Sequence, residues 1–201
     1  EEFQVTVNNV NETPTYDTPI ADQVLDEYFN TLTIDLDTVF TDPDAGDILT
    51  YGAASDDATV VTASVSGSIL TITEAGLGTA AITVTAADDG TPVLDTTDVF
   101  QVTVNNVNDA PVVVAPLPDI SLDEGFTTTT VDLRGVFADM DPGDSLSWSA
   151  VSSDASIVTV SVTDTILTIQ EETEVGAATI IVSATDTSGV TTDDDFSLTI
   201  T

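Results

Sequence analysis

The residues with the clearest chemical potential lie in a short acidic loop in the first half of the chain. Residues 42–47 read DPDAGD, so Asp42, Asp44 and Asp47 place three carboxylates within six residues, while a proline and a glycine bend the backbone. Two carboxylates about 4 Å apart repel each other by roughly 4 kcal/mol at an effective dielectric constant of about 20. No lysine or arginine lies nearby in the sequence to relieve this repulsion. A cation is therefore the first partner to look for.

Among the common metal ions, calcium fits this loop best. Calcium takes about six to eight oxygen ligands in a flexible geometry, whereas magnesium demands a tighter octahedron. Zinc prefers histidine or cysteine ligands. The spacing is not that of an EF-hand, since no glutamate occupies the twelfth position and no helices flank the loop. The alternative is a solvated Asx turn, in which the carboxylates only bend the backbone. The loop sequence leaves both interpretations open.

The composition excludes several classes of function. The 201 residues include 36 acidic ones and a single basic one, Arg134, for a formal net charge of −35, and there is no lysine, histidine or cysteine. Nucleic acid is excluded as a partner because phosphate binding needs clustered basic residues. Disulfides, thiolate metal sites, Ser-His or Cys-His pairs and Schiff-base lysines are impossible. We therefore expect a protein that is not an enzyme.

The charge does not predict disorder. Hydrophobic residues make up 41% of the chain, and valine, isoleucine, leucine and threonine are residues that favour strands. No apolar run approaches the roughly 18 residues of a membrane span, and no signal peptide opens the chain. We expect either a secreted mature chain or a segment of a longer one. Strong screening in a saline or calcium-rich setting would suit its charge.

An internal repeat organises the chain, with an offset of 97 residues. Residues 39–47 recur at 136–144. Further matches begin at 25–27 and 69–72 and, after one inserted residue, at 86–88. The repeat predicts two modules that together cover nearly the whole chain.

The modules are expected to be residues 14–110, which include a linker, and residues 111–201. Within a module the hydrophobic period is two, as in Leu32, Ile34 and Leu36. About seven short strands per module alternate with clusters of Asp, Gly, Pro and Ser. This pattern predicts an all-β fold, with two tandem seven-stranded antiparallel Greek-key sandwiches in a linear array.

The first 13 residues repeat a later segment. Residues 3–11 recur without change as residues 100–108, where they form the last strand of module 1 and the linker. We therefore interpret residues 1–13 as the last strand and linker of a preceding module in a longer array. An alternative is that this N-terminal strand completes a neighbouring subunit, as in a filament.

Four motifs, in the right order along the chain, resemble those of cadherins. The linker is at 104–111, the aspartate-pair motif at 40–51, the alanine-aspartate-glycine turn at 86–92 and the module-start glutamate at 25–27. The form of the aspartate motif is closest to dystroglycan-type cadherin-like modules, which occur in bacterial and archaeal surface adhesins and in secreted polysaccharide-degrading assemblies. The resemblance implies sandwiches of the immunoglobulin or cadherin type.

The resemblance also implies calcium between modules. One site would use Glu27, Asn106, Asn108, Asp109, Asp139, Asp141, Asp144 and Asp186. An upstream site would use Asn9, Asn11, Glu12, Asp42, Asp44, Asp47 and Asp88. The linker departs from the cadherin pattern at Asn105, Val107 and Asn108, so we expect one or two ions per junction rather than three.

The function expected from these features is structural. Calcium-stiffened modules would extend an extracellular surface adhesin or filament, with calcium, neighbouring modules and possibly a second copy of the chain as partners. A carbohydrate- or protein-binding module of a secreted assembly is the alternative. Tyr51 and Trp148 occupy equivalent positions and are expected to pack against the core rather than stack on sugars. Asp193, Asp194 and Asp195 are expected to form a solvated turn.

Overall fold

β-Strands make up almost all the regular structure in the computed structural model of the chain, which describes residues 2–6 and 10–201. The chain divides into two units, Glu1–Val107 and Asn108–Thr201. The strands of unit 1 are β1 (Thr15–Tyr16), β2 (Gln23–Asp26), β3 (Thr31–Asp35), β4 (Phe40–Thr41), β5 (Thr50–Ser55), β6 (Val61–Ser66), β7 (Ile69–Glu74), β8 (Gly78–Ala87) and β9 (Asp95–Asn105). Those of unit 2 are β10 (Val112–Val113), β11 (Ile120–Leu122), β12 (Thr128–Asp132), β13 (Phe137–Ala138), β14 (Ser147–Ser152), β15 (Val158–Thr163), β16 (Ile166–Glu171), β17 (Gly176–Thr185) and β18 (Thr191–Ile200).

Helix contributes very little. A single 3₁₀ turn, Leu36–Thr38, is the only helical element in the described ranges, and the side chain of Asp35 caps it by accepting from the Asp37 N–H. Within residues 2–6 and 10–201, no helix combines the length and the apolar character that spanning a membrane requires.

Each unit is built from two main sheets and a two-stranded pair. Unit 1 has the order β2-β9-β8-β5 in one sheet and β3-β7-β6 in the other, with β1 paired to β4. Unit 2 repeats this arrangement as β11-β18-β17-β14 and β12-β16-β15, with β10 paired to β13. The main sheets therefore hold seven strands per unit, and the prediction of tandem all-β sandwiches is confirmed.

One strand in each unit departs from the predicted antiparallel pattern. β2 pairs with β9 in parallel, and β11 pairs with β18 in the same way. A parallel pair cannot be closed by a hairpin and needs a long crossover. The crossover is available because β3 to β8 of unit 1, and β12 to β17 of unit 2, lie between the two partners in the sequence.

The core of each unit follows from the two-residue period of the strands. In β9 the inward residues Phe100, Val102 and Val104 are 1%, 0% and 3% exposed, while the residues between them face outward. They pack with inward residues of β7 and β8, among them Ile72 and Ile82. Unit 2 has an equivalent core that includes Phe196, Leu198 and Ile200.

The predicted turn at residues 193–195 is wrong, because these residues lie inside β18. Asp194 accepts a hydrogen bond from the Leu117 N–H (2.7 Å). In unit 1, the buried carboxylate of Asp98 accepts in the same way from the Ile20 N–H (2.6 Å). Each aspartate thus ties the segment that enters the parallel strand to the last strand of its unit.

The long hairpins separate the two ends of each unit. β8 and β9 pair from Ala87 opposite Asp95 at one end to Gly78 opposite Val104 at the other. At about 3.4 Å per residue, this pairing separates the two ends by roughly 30 Å. The aspartate loops after β4 and β8 therefore lie at one end of unit 1, and Glu27, which follows β2, lies at the other.

Candidate metal centre

Three carboxylates of unit 1 converge between the loop after β4 and the turn after β8. Asp42, Asp47 and Asp88 each offer a carboxylate oxygen, and these oxygens lie within 4.8 Å of one another. Asp42 and Asp47 are close in sequence, but Asp88 reaches them only because β5 and β8 pair, with Thr50 opposite Ala87. Sheet pairing therefore creates the cluster from two separate motifs.

The loop after β4 is an Asx turn, as the alternative interpretation requires. The Asp44 N–H donates to Oδ1 of Asp42 (2.8 Å), and the Asp47 N–H donates to the Asp44 carbonyl (3.3 Å). Gly46 has a φ of +105°, which glycine adopts without steric cost. The other oxygen of Asp42, Oδ2, is buried and has no hydrogen-bond partner. A merely solvated turn would leave that oxygen in water.

Asp88 is held as a fixed, ionised carboxylate. It is 3% exposed, its Oδ1 accepts from the Gly90 and Leu94 N–H groups (3.1 and 3.0 Å), and its Oδ2 accepts from Nδ2 of Asn11 (2.9 Å). Burial alone would raise the pKa of Asp88, but the hydrogen bonds from Leu94, Asn11 and Gly90 together lower it.

The linker residues before β1 are anchored to this cluster. The Glu12 N–H donates to Oδ2 of Asp44 (2.7 Å), and Asp44 is 6% exposed. Nδ2 of Asn11 also donates to the Pro92 carbonyl (2.8 Å), and a Cβ at Gly90 would collide with the Asn11 side chain. The predicted ligands Asn11 and Glu12 therefore lie beside the carboxylates. Asn9 lies outside the described residues.

The pKa of Asp47 is raised by burial and by several other carboxylates that lie close to it. Burial raises its pKa first, followed by the negative charges of Asp89, Asp42, Asp44 and Asp88. Sequence reasoning missed Asp89, although its position directly after the Ala-Ala-Asp motif was a usable signal. Such mutual repulsion persists unless a cation offsets it.

Unit 2 contains the equivalent cluster. Carboxylate oxygens of Asp139, Asp144 and Asp186 lie within 4.8 Å of one another. Oδ1 of Asp139 accepts from the Asp141 N–H (2.9 Å), and the Asp109 N–H donates to Oδ2 of Asp141 (2.7 Å). Oδ2 of Asp139 and Oδ2 of Asp144 are both buried without a hydrogen-bond partner. The buried, unpartnered oxygen of Asp42 therefore recurs at the equivalent residue of the second unit.

Asp186 takes the place of Asp88. It is 5% exposed and accepts from Nδ2 of Asn108 (2.9 Å) and from the Val190 N–H (2.8 Å). The hydrogen bond from Asn108 is the largest cause of its lowered pKa, against burial, which opposes the shift. The predicted residues Asn108, Asp109, Asp139, Asp141, Asp144 and Asp186 thus gather at one end of unit 2.

Glu27 and Asn106 are the predicted ligands that do not join the cluster of their own unit. Oε1 of Glu27 accepts from the Val107 N–H (2.7 Å), and the Glu27 N–H donates to the Asn105 carbonyl (2.9 Å). Asn106 is exposed and follows β9. Both residues lie at the end of unit 1 from which the linker leaves.

The three aspartate side chains that converge in each cluster all present carboxylate oxygens. Three of these oxygens are buried and unpaired, and a buried carboxylate oxygen without a partner is costly. The donor set therefore fits a hard, oxygen-binding cation and not a metal that prefers nitrogen or sulfur.

The sequence matches no protein-family model and no curated protein. Its structure is similar to human mucin-like protocadherin extracellular domains 1–2, with 19% identity over 94% of this chain and 98% of that one, and a TM-score of 0.54. Protocadherin gamma C5 domains 1–3 give 16% identity, 93% and 68% coverage and a TM-score of 0.55.

Protocadherin gamma B2 domains 1–5 give 16% identity and a TM-score of 0.55 over 96% of this chain. This chain spans only 41% of that chain of five domains. At identities this low, the likeness shows the fold alone. The chain has the fold of tandem cadherin extracellular domains.

Proposed function

We propose that calcium binds the carboxylate cluster at the end of each unit that the preceding linker residues enter, and that it stiffens a tandem array of modules. The observation that carries this proposal is the buried, unpartnered carboxylate oxygen at Asp42 and at its equivalent, Asp139. In both units the first oxygen of that residue is satisfied by the Asx turn, while the second is withdrawn from water without a partner. A bound cation would supply the missing partner at both places.

The ligand chemistry favours calcium over other cations. Calcium accepts six or more oxygen ligands in irregular geometry, which suits loops that contribute carboxylates and carbonyls. Magnesium holds its water shell and needs a regular octahedron, and zinc would use histidine or cysteine, which the chain lacks.

The linker extends this proposal to the junctions between modules 14–110 and 111–201. The cadherin-like motifs assign Glu27 and Asn106 to the same ion as the unit 2 cluster. The Glu27 side chain already accepts from the last residue of unit 1, Val107, and Asn108 and Asp109 are fixed to unit 2. Without calcium the carboxylates repel each other, and with calcium the ion joins the linker to the modules on either side.

The role that follows is mechanical and not enzymatic. Stiffened modules of the dystroglycan-type cadherin-like form would act as an adhesive or spacer repeat of an extracellular surface protein. The cadherin domains that resemble this chain support such a repeat. They give no support to the polysaccharide partner that the sequence left open.

A thermal melt of the full chain, in calcium and then in chelator, tests the proposal. A ligand that binds only the native state at 100 times its dissociation constant stabilises it by about 2.7 kcal/mol, so the melting temperature should rise clearly with calcium. The variant Asp139→Asn with Asp144→Asn should lose the calcium response of unit 2. Small-angle scattering should report a stiffer particle with calcium.

A matched control removes two negative charges at positions outside the clusters. Asp193 and Asp195 are exposed on β18, and the variant Asp193→Asn with Asp195→Asn should keep the full calcium response. If calcium changes neither the melting temperature nor the scattering of the parent chain, the aspartate loops are turns without a metal, and the proposal is wrong.

One observation favours a second candidate function, which is assembly through the N-terminal segment. Phe3 and Val5 are 87% and 71% exposed, while the identical sequence in β9 buries Phe100 and Val102 at 1% and 0%. We infer that residues 3–6 can add to a sheet outside unit 1, with a second copy of the chain as the occupant tested. The variant Phe3→Ser with Val5→Ser should abolish concentration-dependent assembly in light scattering. A parent chain that stays monomeric at all concentrations rules this out.

A further inference from the structure

The two carboxylate clusters differ in the residue that follows their buried aspartate. In unit 1 Asp88 is followed by Asp89, whereas in unit 2 Asp186 is followed by Thr187. The three clustered carboxylates occupy equivalent positions in the two units. The difference therefore adds one negative charge beside the cluster of unit 1 and none beside that of unit 2.

In unit 2 the hydroxyl of Thr187 forms a hydrogen bond with one carboxylate of the cluster. Its Oγ1 donates to Oδ1 of Asp144 (2.7 Å), so one oxygen of that carboxylate is already satisfied by a neutral donor. The other oxygen, Oδ2, is buried without a partner. The hydrogen bond from Thr187 thus partly stabilises the negative charge of Asp144 without a cation.

In unit 1 the backbone holds Asp89 beside the equivalent carboxylate. Oδ1 of Asp89 accepts from the Ile48 N–H (2.9 Å), and Ile48 is the residue directly after Asp47. A carboxylate therefore stands next to Asp47 where unit 2 places a hydroxyl donor. No lysine or arginine of the described residues in unit 1 offsets the added charge, since the single basic residue of the chain, Arg134, belongs to unit 2.

We propose that the residue at positions 89 and 187 sets how strongly each cluster holds its divalent cation, with Asp89 strengthening binding in unit 1 and Thr187 weakening it in unit 2. This inference rests on the proposed calcium sites. An extra carboxylate adds attraction to the cation, and its contribution is screened by salt. Calcium binding in unit 1 should therefore depend on ionic strength more steeply because of Asp89.

Calcium titration calorimetry of the full chain tests this inference one cluster at a time. A background with Asp139→Asn and Asp144→Asn leaves the cluster of unit 1, and a background with Asp42→Asn and Asp47→Asn leaves that of unit 2. Each substitution at 89 or 187 is compared with its own background, so differences in the other ligands of the two sites cancel.

Two reciprocal substitutions carry the expected result. Asp89→Asn retains an oxygen for the Ile48 N–H and removes only the charge, so it should weaken calcium binding in unit 1 by about tenfold and flatten its salt dependence. Thr187→Asp should tighten binding in unit 2 by a similar factor and steepen its salt dependence. Asp195→Asn, an exposed residue of β18, should change neither.

The outcomes separate this inference from the proposal on which it depends. If the backgrounds bind calcium but Asp89→Asn and Thr187→Asp leave both the affinity and its salt dependence unchanged, the inference is overturned and the calcium sites stand. If the parent chain binds no calcium, the proposed function is overturned, and the inference falls with it.

Discussion

The two units have cores of nearly the same apolar residues, but the polar residues next to these cores differ. Phe100 and Phe196 are 1% and 2% exposed at equivalent positions of the last strand. In contrast, Tyr51 of unit 1 corresponds to Trp148 of unit 2, and Asp37 corresponds to Arg134. The repeat therefore conserves residue type between the two units in the core but not in the polar margin, by which we mean positions 51 and 148 and positions 37 and 134.

This polar margin is satisfied in one unit and not in the other. The Tyr51 hydroxyl donates to Oδ1 of Asp37 (2.8 Å). In unit 2, the Trp148 Nε1 is buried without a hydrogen-bond partner, and Arg134 instead forms an ion pair with Asp132. Both aromatic rings pack against the cores of their units, so the ring is required by packing, while its polar atom depends on which neighbour the unit supplies.

The aromatic residues also allow the units to be followed separately. The only tryptophan, Trp148, lies in unit 2, and all three tyrosines lie in unit 1. Tryptophan fluorescence therefore reports the unfolding of unit 2, and tyrosine fluorescence reports that of unit 1.

The largest and most equal effect is expected in the core. Phe100→Ala and Phe196→Ala each remove a fully buried ring, and each should destabilise its own unit by about 3–5 kcal/mol. Urea denaturation followed by the two fluorescence signals measures both. Phe3→Ala serves as the control because it changes the same sequence motif where the ring is 87% exposed, and it should change stability by less than about 0.5 kcal/mol. Unequal losses at 100 and 196 would show that the two cores are not equivalent.

A smaller and less equal effect is expected at the aspartates that hold the parallel strands. Asp98 is 5% exposed and accepts from the Ile20 and Val99 N–H groups, whereas Asp194 is half-buried and accepts from the Leu117 N–H. Asp98→Ala removes the acceptor of two part-buried hydrogen bonds from backbone N–H groups, at a cost of about 1–3 kcal/mol. Asp194→Ala should cost less. Urea denaturation measures the loss of unfolding free energy in both variants, and a larger loss for Asp194→Ala would contradict this ranking.

The smallest effect on stability is expected at the equivalent aromatic residues Tyr51 and Trp148, and only in unit 1, where Tyr51 pairs with Asp37 through a hydrogen bond. Tyr51→Phe removes the hydrogen bond to Asp37 and should cost about 0.5–1.5 kcal/mol at neutral pH, towards the lower value because the pair is solvent-accessible. The test is tyrosine fluorescence in urea, which the two remaining tyrosines still report. Trp148→Phe removes an N–H that has no partner and should show no such hydrogen-bond loss; because this variant lacks the tryptophan reporter, circular dichroism in urea follows its unfolding.

The same pair predicts a pH dependence. Burial, and then the hydrogen bond and charge of Asp37, raise the pKa of Tyr51 above its ordinary value of 10.0. Above pH 10 the unfolded chain therefore binds fewer protons than the folded one, so the free energy of unfolding falls as pH rises. Tyr51→Phe should flatten this decline in unit 1, and an unchanged decline would show that Tyr51 is not its source.

The acidic loop shows how far local sequence reasoning reaches. The turn at Asp42 and Asp44 is encoded within three residues, because an Asx turn needs only a side-chain oxygen and a nearby N–H. The approach of Asp88 depends on strands that pair across more than 30 residues, and the sequence could suggest it only through the resemblance to cadherins. The ion itself remains a prediction.

Residues 193–195 show where local reasoning fails. Three consecutive aspartates have low strand propensity, which favoured a turn. They lie in β18 because they continue the strand that buries Phe196, Leu198 and Ile200, and packing outweighs intrinsic propensity. Asp194 is accommodated because its carboxylate has a backbone donor to bind.

The sequence by itself determined the repeat, the strand period, the all-β class and the composition of the acidic loops. These are local properties, since alternation and turn chemistry act between residues a few positions apart. The tertiary structure decided the parallel pairing of β2 with β9, the burial of single carboxylate oxygens and the contact of Thr187 with Asp144. Burial and hydrogen-bond partners depend on which distant segments meet, and that becomes fixed only when the sheets pack.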